Sequence, residues 1–94
     1  MNGLRDRVVL VTGGAQGIGA EYGRRLANEG AKVVVADVNV AKGEAVAREL
    51  SEAAAFAEVD VSDEGSCEAM AAAAVERFGR IDGLVNNAAT SPPA

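Results

Sequence analysis

Short apolar runs and longer amphipathic segments alternate along the chain. Apolar runs that are rich in β-branched residues are typical of strands buried on both faces. Segments with apolar residues three or four positions apart are typical of helices that cover a core. Strands are predicted at residues 8–11, 33–36, 55–59 and 81–86, and helices at residues 17–29, 41–52 and 63–78.

The predicted helices begin and end at residues suited to capping. Asn39 and Ser62 precede the second and third helices, where a side-chain oxygen can accept a hydrogen bond from a free backbone N–H. Gly30 and Gly79 follow the first and third helices, where a left-handed residue commonly stops a helix. The side chains predicted to share the inward helical faces are Ile18, Tyr22 and Leu26, then Ala45, Val46 and Leu50, then Cys67, Met70, Ala71, Ala74, Val75 and Phe78.

The strict alternation of strands and helices predicts an α/β fold. Such a pattern forms a parallel sheet with right-handed crossovers. By analogy with dinucleotide-binding folds, we expect a Rossmann-type sheet of order 3-2-1-4 with flanking helices and a crevice at the carboxyl ends of strands one and four. The 94 residues are long enough for one compact domain at most, so we expect a single, partial domain over 1–94 that is truncated after the fourth strand.

The loop after the first strand, residues 12–19 (TGGAQGIG), is suited to binding a phosphate. A phosphate needs backbone N–H groups turned towards it and no Cβ in the way, and a helix N-terminus supplies donors and a favourable field. Gly13 permits a tight turn, Gly17 permits close approach of the backbone to a pyrophosphate, and Gly19 permits close packing of the helix. A purely structural turn is the alternative interpretation, but the position between a buried strand and a helix favours a dinucleotide site.

Asp37 ends the second strand at about the distance from the glycine loop expected of a ribose-binding acid. Its carboxylate can accept hydrogen bonds from the adenosine ribose and would repel a 2′-phosphate by about 1–4 kcal/mol. The next residue is Val38 rather than arginine, Gln16 is uncharged, and the nearest basic residue that follows is Lys42. These features favour NAD over NADP, while the simpler alternative is an acid that only begins a loop.

The composition argues against several classes of partner. Nine basic and fourteen acidic residues give a net charge of −5, so no basic stripe is available for nucleic-acid phosphates or an anionic membrane. The residues after the N-terminus contain no apolar run of signal-peptide or membrane-spanning length. Cys67 is the only cysteine and has no internal disulfide partner, which fits a reducing compartment. We expect a cytoplasmic protein that binds neither nucleic acid nor membrane.

Two other groups of residues have a structural explanation. Asp60, Asp63 and Glu64 could be interpreted as metal ligands, but acids at a helix start usually complement the helix dipole. Cys67 lies on an apolar helical face, which favours a core position over a nucleophile. We therefore predict no metal site.

Three segments, in this order, resemble the coenzyme signatures of the short-chain dehydrogenase/reductase family. They are residues 12–19 (TGGAQGIG), 60–61 (DV) and 86–89 (NNAA), and the resemblance covers essentially the whole chain. The family more often has glycine where this chain has Ala89. The resemblance implies an NAD-dependent oxidoreductase that interconverts an alcohol and a ketone by hydride transfer.

The resemblance also assigns roles to residues after the second strand. In that family the Asp-Val pair lies beside the adenine, with the acid reaching the exocyclic amine, which implies these roles for Asp60 and Val61. Asn87 and Ala88 are implied to line the adenosine side of the cleft, and Asn86 to steady the sheet through backbone hydrogen bonds. The predicted coenzyme contacts are Gly13, Gln16, Gly17, Ile18, Gly19, Asp37, Asp60, Val61, Asn87 and Ala88.

The catalytic residues of that family have no counterpart in this chain. Family members use a Tyr acid/base, a Lys four positions later and a Ser that polarises the substrate oxygen. Tyr22 is the only tyrosine, Leu26 stands four positions later, and the only lysines are Lys32 and Lys42. We therefore expect a fragment that binds NAD(H) and is inactive by itself, because the family's catalytic residues lie beyond the fourth strand.

Two functions remain open at this point. The first is the coenzyme half of a dehydrogenase whose full-length form takes a small alcohol or ketone and is expected to be a homo-oligomer. The second is a stand-alone module that binds NAD without catalysis. Continuation of the gene past Ala94 into a Tyr-x-x-x-Lys segment would favour the first.

Overall fold

A computed structural model describes residues 5–15 and 17–87, and within them four strands alternate with three α-helices. The strands are β1 (Val8–Thr12), β2 (Lys32–Asp37), β3 (Ala54–Glu58) and β4 (Gly83–Asn86). The helices are α1 (Gly17–Asn28), α2 (Val40–Glu49) and α3 (Glu64–Phe78), and a short 3₁₀ helix, Ser51–Ala53, joins α2 to β3. The predicted alternation is confirmed, with element ends displaced by about one to three residues, the usual uncertainty of such boundaries.

The described strands form one parallel sheet in the order β3-β2-β1-β4, which confirms the predicted Rossmann-type topology. Thr12 pairs with Ala36 on one side and with Asn86 on the other. The carboxyl ends of β1, β2 and β4 therefore meet at one edge of the sheet, here called the carboxyl edge. Ligands of open α/β sheets bind outside this edge where the strand order reverses.

Hydrophobic cores lie on both faces of the sheet, because successive strand residues point to opposite sides. One core packs α1 and α2 against the sheet, and the other packs α3 against it. The first contains Val9, Val11, Val33 and Val35 with Ala20, Val46 and Ala47, and the second contains Val8, Leu10, Val34 and Ala36 with Met70 and Ala74.

Helix α1 does not present its large apolar residues to the sheet, so the predicted inward face was wrong in part. Ile18 is 67% exposed and Tyr22 is 46% exposed. Leu26 does pack at the margin of the core. The buried residues of the helix are Gly19, Ala20 and Gly23. Small residues allow the helix to lie close to the valine-rich strands, so side-chain size rather than hydrophobicity selects this face.

Helix α2 follows its predicted cap but has a different inward face and a different end. Asn39 is the N-cap, and its side-chain oxygen accepts a hydrogen bond from the backbone N–H of Lys42. Ala45 is exposed, contrary to the prediction, while Val46 is buried as predicted. The helix ends at Glu49 because Ser51 adopts a left-handed φ of 61° and the chain continues as the 3₁₀ turn.

The start of α3 differs from the prediction by one residue. Asp63, not Ser62, is the N-cap, and its Oδ1 accepts from the N–H of Gly65 at 3.0 Å. Ser62 instead donates both its backbone N–H and its hydroxyl to Asp60 Oδ1, so its side chain is already engaged. Val75 was also predicted to face the core and is 48% exposed.

The remaining predictions for α3 and for the glycine stops are confirmed. Met70 and Ala74 are buried, and Cys67, Ala71 and Phe78 are half-buried. Gly30 and Gly79 have φ values of 94° and 86°, the left-handed conformation predicted for residues that end a helix.

Asp82 ties β1 to β4 at the opposite, amino edge of the sheet. Its Oδ2 accepts from the backbone N–H of Val8 at 2.8 Å, and its Oδ1 accepts from Arg80 at 2.6 Å and from Arg7 at 3.4 Å. The Val8 N–H and then the Arg80 guanidinium lower the pKa of the Asp82 carboxyl. This acid therefore holds the strand pair in register from the end remote from the glycine loop.

Candidate coenzyme site

The glycine loop follows β1 in a sharp turn that is hydrogen-bonded to the end of β2. Gly13 has a left-handed φ of 67°. The N–H of Gly14 then donates to the carbonyl of Ala36 at 3.1 Å. The N–H of Ala15 donates to Asp37 Oδ2 at 3.0 Å. These two amides are therefore engaged by β2 and are not free to bind a ligand.

The start of α1 has the features expected of an anion site. Gly17 has a φ of 60°, and apart from its chain neighbours and the helix backbone, no atom of the described residues lies within 4 Å of the place where a Cβ would be. The first N–H groups of a helix have no partner within the helix and carry the positive end of its dipole. Ile18 follows with an exposed side chain. Open space beside the N–H groups of a first helical turn fits a phosphate group.

Gly19 allows a close approach at the start of α1. A Cβ there would collide with the carbonyl of Gly13 and would lie 2.9 Å from Nδ2 of Asn87. The missing side chain thus lets the loop residue that follows β1 pack directly against the helix. It also brings the Asn87 side chain next to the loop.

Asp37 lies at the carboxyl edge, directly beside the glycine loop, as its position at the end of a strand predicted. Besides accepting from Ala15, its carboxylate accepts from the N–H of Asn39 at 2.9 Å through Oδ1. A carboxylate offers about four lone-pair positions, so each oxygen can accept one further hydrogen bond. The residue is half-buried at this edge.

Thr12 joins the ends of β1 and β4 and was missed as a functional residue in the sequence. Its hydroxyl donates to Asn86 Oδ1 at 2.9 Å, and its carbonyl and hydroxyl oxygens both lie 3.2 Å from the N–H of Asn87. Asn86 is also paired with Thr12 in the strand ladder, so it steadies this end of the sheet through its side chain as well as through its backbone. A polar residue at the end of an otherwise apolar strand, directly before the glycine loop, is the sequence signal for this role.

Asp60 and Val61 follow β3 in a turn that is held by serines. The backbone N–H of Asp60 donates to the Ser66 hydroxyl at 2.9 Å. Hydrogen bonds from the hydroxyl and then from the backbone N–H of Ser62 lower the pKa of the Asp60 carboxyl, so this group stays ionised near neutral pH. Val61 packs at the margin of the core under α3. The acid is exposed and available as a hydrogen-bond acceptor.

Two of the predicted contacts, Gln16 and Ala88, lie outside the described residues, as does Ala89. The other predicted residues divide between two groups. Gly13, Gly17, Ile18, Gly19, Asp37 and Asn87 lie in or beside the glycine loop and the start of α1, and Asp60 and Val61 occupy the separate turn after β3. Direct coenzyme contact by any of them stays a prediction.

Comparison with known proteins gives a consistent family. The family model described as short chain dehydrogenase matches residues 7–94. The chain is 46% identical over 87 residues to 3-beta-hydroxysteroid dehydrogenase from Comamonas testosteroni, covering 93% of this chain and 34% of that protein. It is 51% identical over 88 residues to levodione reductase from Leifsonia aquatica, covering 88% of this chain and 33% of that protein.

A solved structure shares the fold. The crystal structure of 3-ketoacyl-(acyl-carrier-protein) reductase from Brucella melitensis complexed with NADH superposes with a TM-score of 0.84 at 40% sequence identity. The match covers 86% of this chain and 34% of that one. The chain thus spans about a third of the length of the relatives that it matches. In residues 5–15 and 17–87, no helix has the length and apolar character needed to cross a membrane.

Proposed function

Because the chain belongs to the short-chain dehydrogenase family, we propose that it is the coenzyme-binding part of an oxidoreductase and that it takes NAD(H). The observation that carries the proposal is the position of Asp37. Its carboxylate lies at the rim of the glycine loop, 3.0 Å from the N–H of Ala15, and keeps acceptor capacity for a ribose.

The pyrophosphate is proposed to lie against the start of α1. Gly17 leaves the space that a Cβ would otherwise fill, and the N–H groups of the first turn are free of helical partners. The amides of Gly14 and Ala15 are engaged by β2 and are not assigned to the phosphates. Ile18 supplies an exposed apolar surface beside the same helix end.

The adenine is proposed to lie between the Asp60 turn and the end of β4. The ionised carboxylate of Asp60 can accept a hydrogen bond from an exocyclic amine, as the family resemblance implies. Asn87 and Ala88 would line the adenosine side, and Gln16 would contact the coenzyme from the loop. The side chain of Asn87 already lies next to Gly19, which supports its place at this edge.

Asp37 also carries the proposed preference for NAD over NADP. A 2′-phosphate on the ribose would lie within a few ångströms of this carboxylate. At that separation two like charges repel by about 1–4 kcal/mol, which is about a ten- to thousandfold difference in affinity. No arginine follows to offset the repulsion, because the next residue is Val38.

The whole protein is proposed to interconvert an alcohol and a ketone. The bound nicotinamide supplies hydride exchange with the substrate carbon. This chain's part is to bind and orient the coenzyme, since Tyr22 lies on an exposed face of α1 and stands four positions before Leu26 rather than a lysine. The 94-residue chain alone is proposed to bind without turnover, and the full-length protein to act in the cytoplasm as a homo-oligomer.

An NMR titration tests this placement. NAD should shift the backbone amides of Gly17 and Gly19 together with those of Asp60 and Val61. AMP, which lacks the pyrophosphate and nicotinamide riboside, should shift the Asp60 turn more than the start of α1. Shifts confined to one of these two regions with NAD would contradict the proposed site. Alcohol-dependent formation of NADH by the 94-residue chain would contradict the proposal that this chain binds the coenzyme without turnover.

A further inference from the structure

The end of β2 holds the glycine loop through one backbone and one side-chain acceptor. The backbone acceptor is the carbonyl of Ala36, which receives the N–H of Gly14 at 3.1 Å. The side-chain acceptor is Asp37, which receives the N–H of Ala15 at 3.0 Å and that of Asn39 at 2.9 Å. One carboxylate therefore fixes the turn into α1 and the turn into α2 together.

Ala15 depends on this carboxylate for its hydrogen bond. The residue is only 5% exposed, and a buried backbone N–H without an acceptor is strongly disfavoured. The preceding turn leaves little freedom to find another partner, because Gly13 is left-handed and a Cβ on Gly14 would lie 2.9 Å from the carbonyl of Val11. Loss of the Asp37 oxygens would therefore loosen the loop rather than re-pair it.

We propose that Asp37 is a positioning residue for the glycine loop, in addition to its role toward the ribose. The carboxylate sets the loop before any coenzyme arrives, so the ribose and pyrophosphate subsites share one side chain. The coenzyme part of this statement rests on the proposed function, whereas the loop part does not. Replacing Asp37 to admit a 2′-phosphate would then also disorder the phosphate loop.

Amide hydrogen exchange without coenzyme tests the loop part directly. In Asp37→Ala, the amides of Ala15 and Asn39 should exchange at least about tenfold faster, since both lose their acceptor. The core amide of Val34 should stay within about threefold of wild type, since local opening leaves the sheet intact. Asp37→Asn keeps one carbonyl oxygen, so it should accelerate the Ala15 amide less than the alanine variant does.

Asp63→Ala is the matched control. Asp63 also accepts the N–H of the residue two positions later, Gly65, at 3.0 Å, but it does so at the start of α3. This variant should accelerate the Gly65 amide and leave that of Ala15 unchanged. Exchange of Ala15 within about twofold of wild type in Asp37→Ala, or in Asp37→Val if the alanine variant does not fold, would overturn the proposal, because neither variant keeps a side-chain acceptor.

The outcome separates this inference from the proposed function. Faster exchange at Ala15 in a chain that shows no affinity for NAD would retain the loop role of Asp37 and reject the coenzyme assignment. Unchanged exchange at Ala15 in a chain that binds NAD would retain the coenzyme assignment and reject the loop role.

Discussion

The hydroxyl of Thr12 donates a 2.9 Å hydrogen bond to Asn86 Oδ1, and this contact joins β1 and β4 at the carboxyl edge of the sheet. The N–H of Asn87 lies 3.2 Å from the same hydroxyl and from the Thr12 carbonyl. A buried polar residue thus fixes the end of β4 relative to the glycine loop. Thr12 itself is only 3% exposed.

Thr12→Val should weaken this junction without changing the shape of the side chain. We expect a loss of about 1 kcal/mol in unfolding free energy, the usual net value of one hydrogen bond. The side-chain amide of Asn86 and the backbone amide of Asn87 should shift in NMR spectra. Thr12→Ser, which keeps the hydroxyl, should retain the wild-type positions of these signals, and equal shifts in both variants would contradict the role of the hydroxyl.

Gly19→Ala should be among the most damaging small substitutions in the chain. Its Cβ would collide with the backbone carbonyl of Gly13, which a side-chain rotation cannot relieve. Overpacking typically costs about 1–3 kcal/mol and more where backbone must move, so we expect about 3 kcal/mol from urea unfolding.

Gly65→Ala is the matched control for that prediction. The nearest atom to its added Cβ is Asp63 Oδ1 at 3.5 Å, an ordinary contact at the exposed start of α3. This variant should be neutral or up to about 1 kcal/mol more stable, because alanine restricts the unfolded chain. Equal destabilisation by the two substitutions would contradict the close contact between loop and helix.

Gly43→Ala tests how closely α2 lies on β3. The added Cβ would meet the ring of Phe56, and the cost should be about 1–3 kcal/mol. Phe56→Leu removes the ring edge, so the double variant should be more stable than the sum of the single effects, with a coupling of about 0.5–3 kcal/mol. Strict additivity in denaturant unfolding would exclude this contact.

Asp82 should contribute to the acid sensitivity of the fold. Its pKa is lowered in the folded protein by the N–H of Val8 and then by Arg80, from an ordinary value of 3.8. The stabilisation is therefore fully present above pH 3.8 and is lost as the pH falls through the lower, folded pKa.

Asp82→Asn should accordingly lower stability at neutral pH and flatten its decline in acid, as followed by thermal unfolding from pH 7 to pH 2. Asp60 and Glu49 also have lowered pKa values, so part of the decline should remain. Glu68→Gln, on the exposed face of α3, should leave the profile unchanged. An Asp82→Asn profile parallel to that of wild type would reject this role.

The sequence predicted the order of elements and the order of the strands because both depend on long, regular patterns. The β-branched runs are nearly continuous. Gly30 and Gly79 end their helices in the left-handed conformation, which glycine adopts most easily, so the residue type itself marks these positions. The helical faces were harder to predict. Ile18 and Tyr22 have helical spacing, but α1 lies so close to the sheet that only small side chains fit between them. In α2, Gly43 rather than Ala45 packs inward, against the ring of Phe56.

The cap of α3 shows a second limit. Ser62 and Asp63 are adjacent and both are good N-cap residues, so local preference does not choose between them. Asp60 accepts hydrogen bonds from the backbone N–H and the hydroxyl of Ser62, so Asp63 is left as the N-cap. In the same way, the place of Asp37 at a strand end could be predicted, but its bond to Ala15 depends on a loop and a strand separated by the whole of α1.

Calorimetric titration of the chain with NAD and with NADP tests the central claim most directly. We predict that NAD binds about ten- to a thousandfold more tightly, and that Asp37→Asn reduces this ratio while the control Glu68→Gln retains it. Equal affinity of the wild-type chain for the two coenzymes would contradict the assignment of Asp37 to the adenosine ribose.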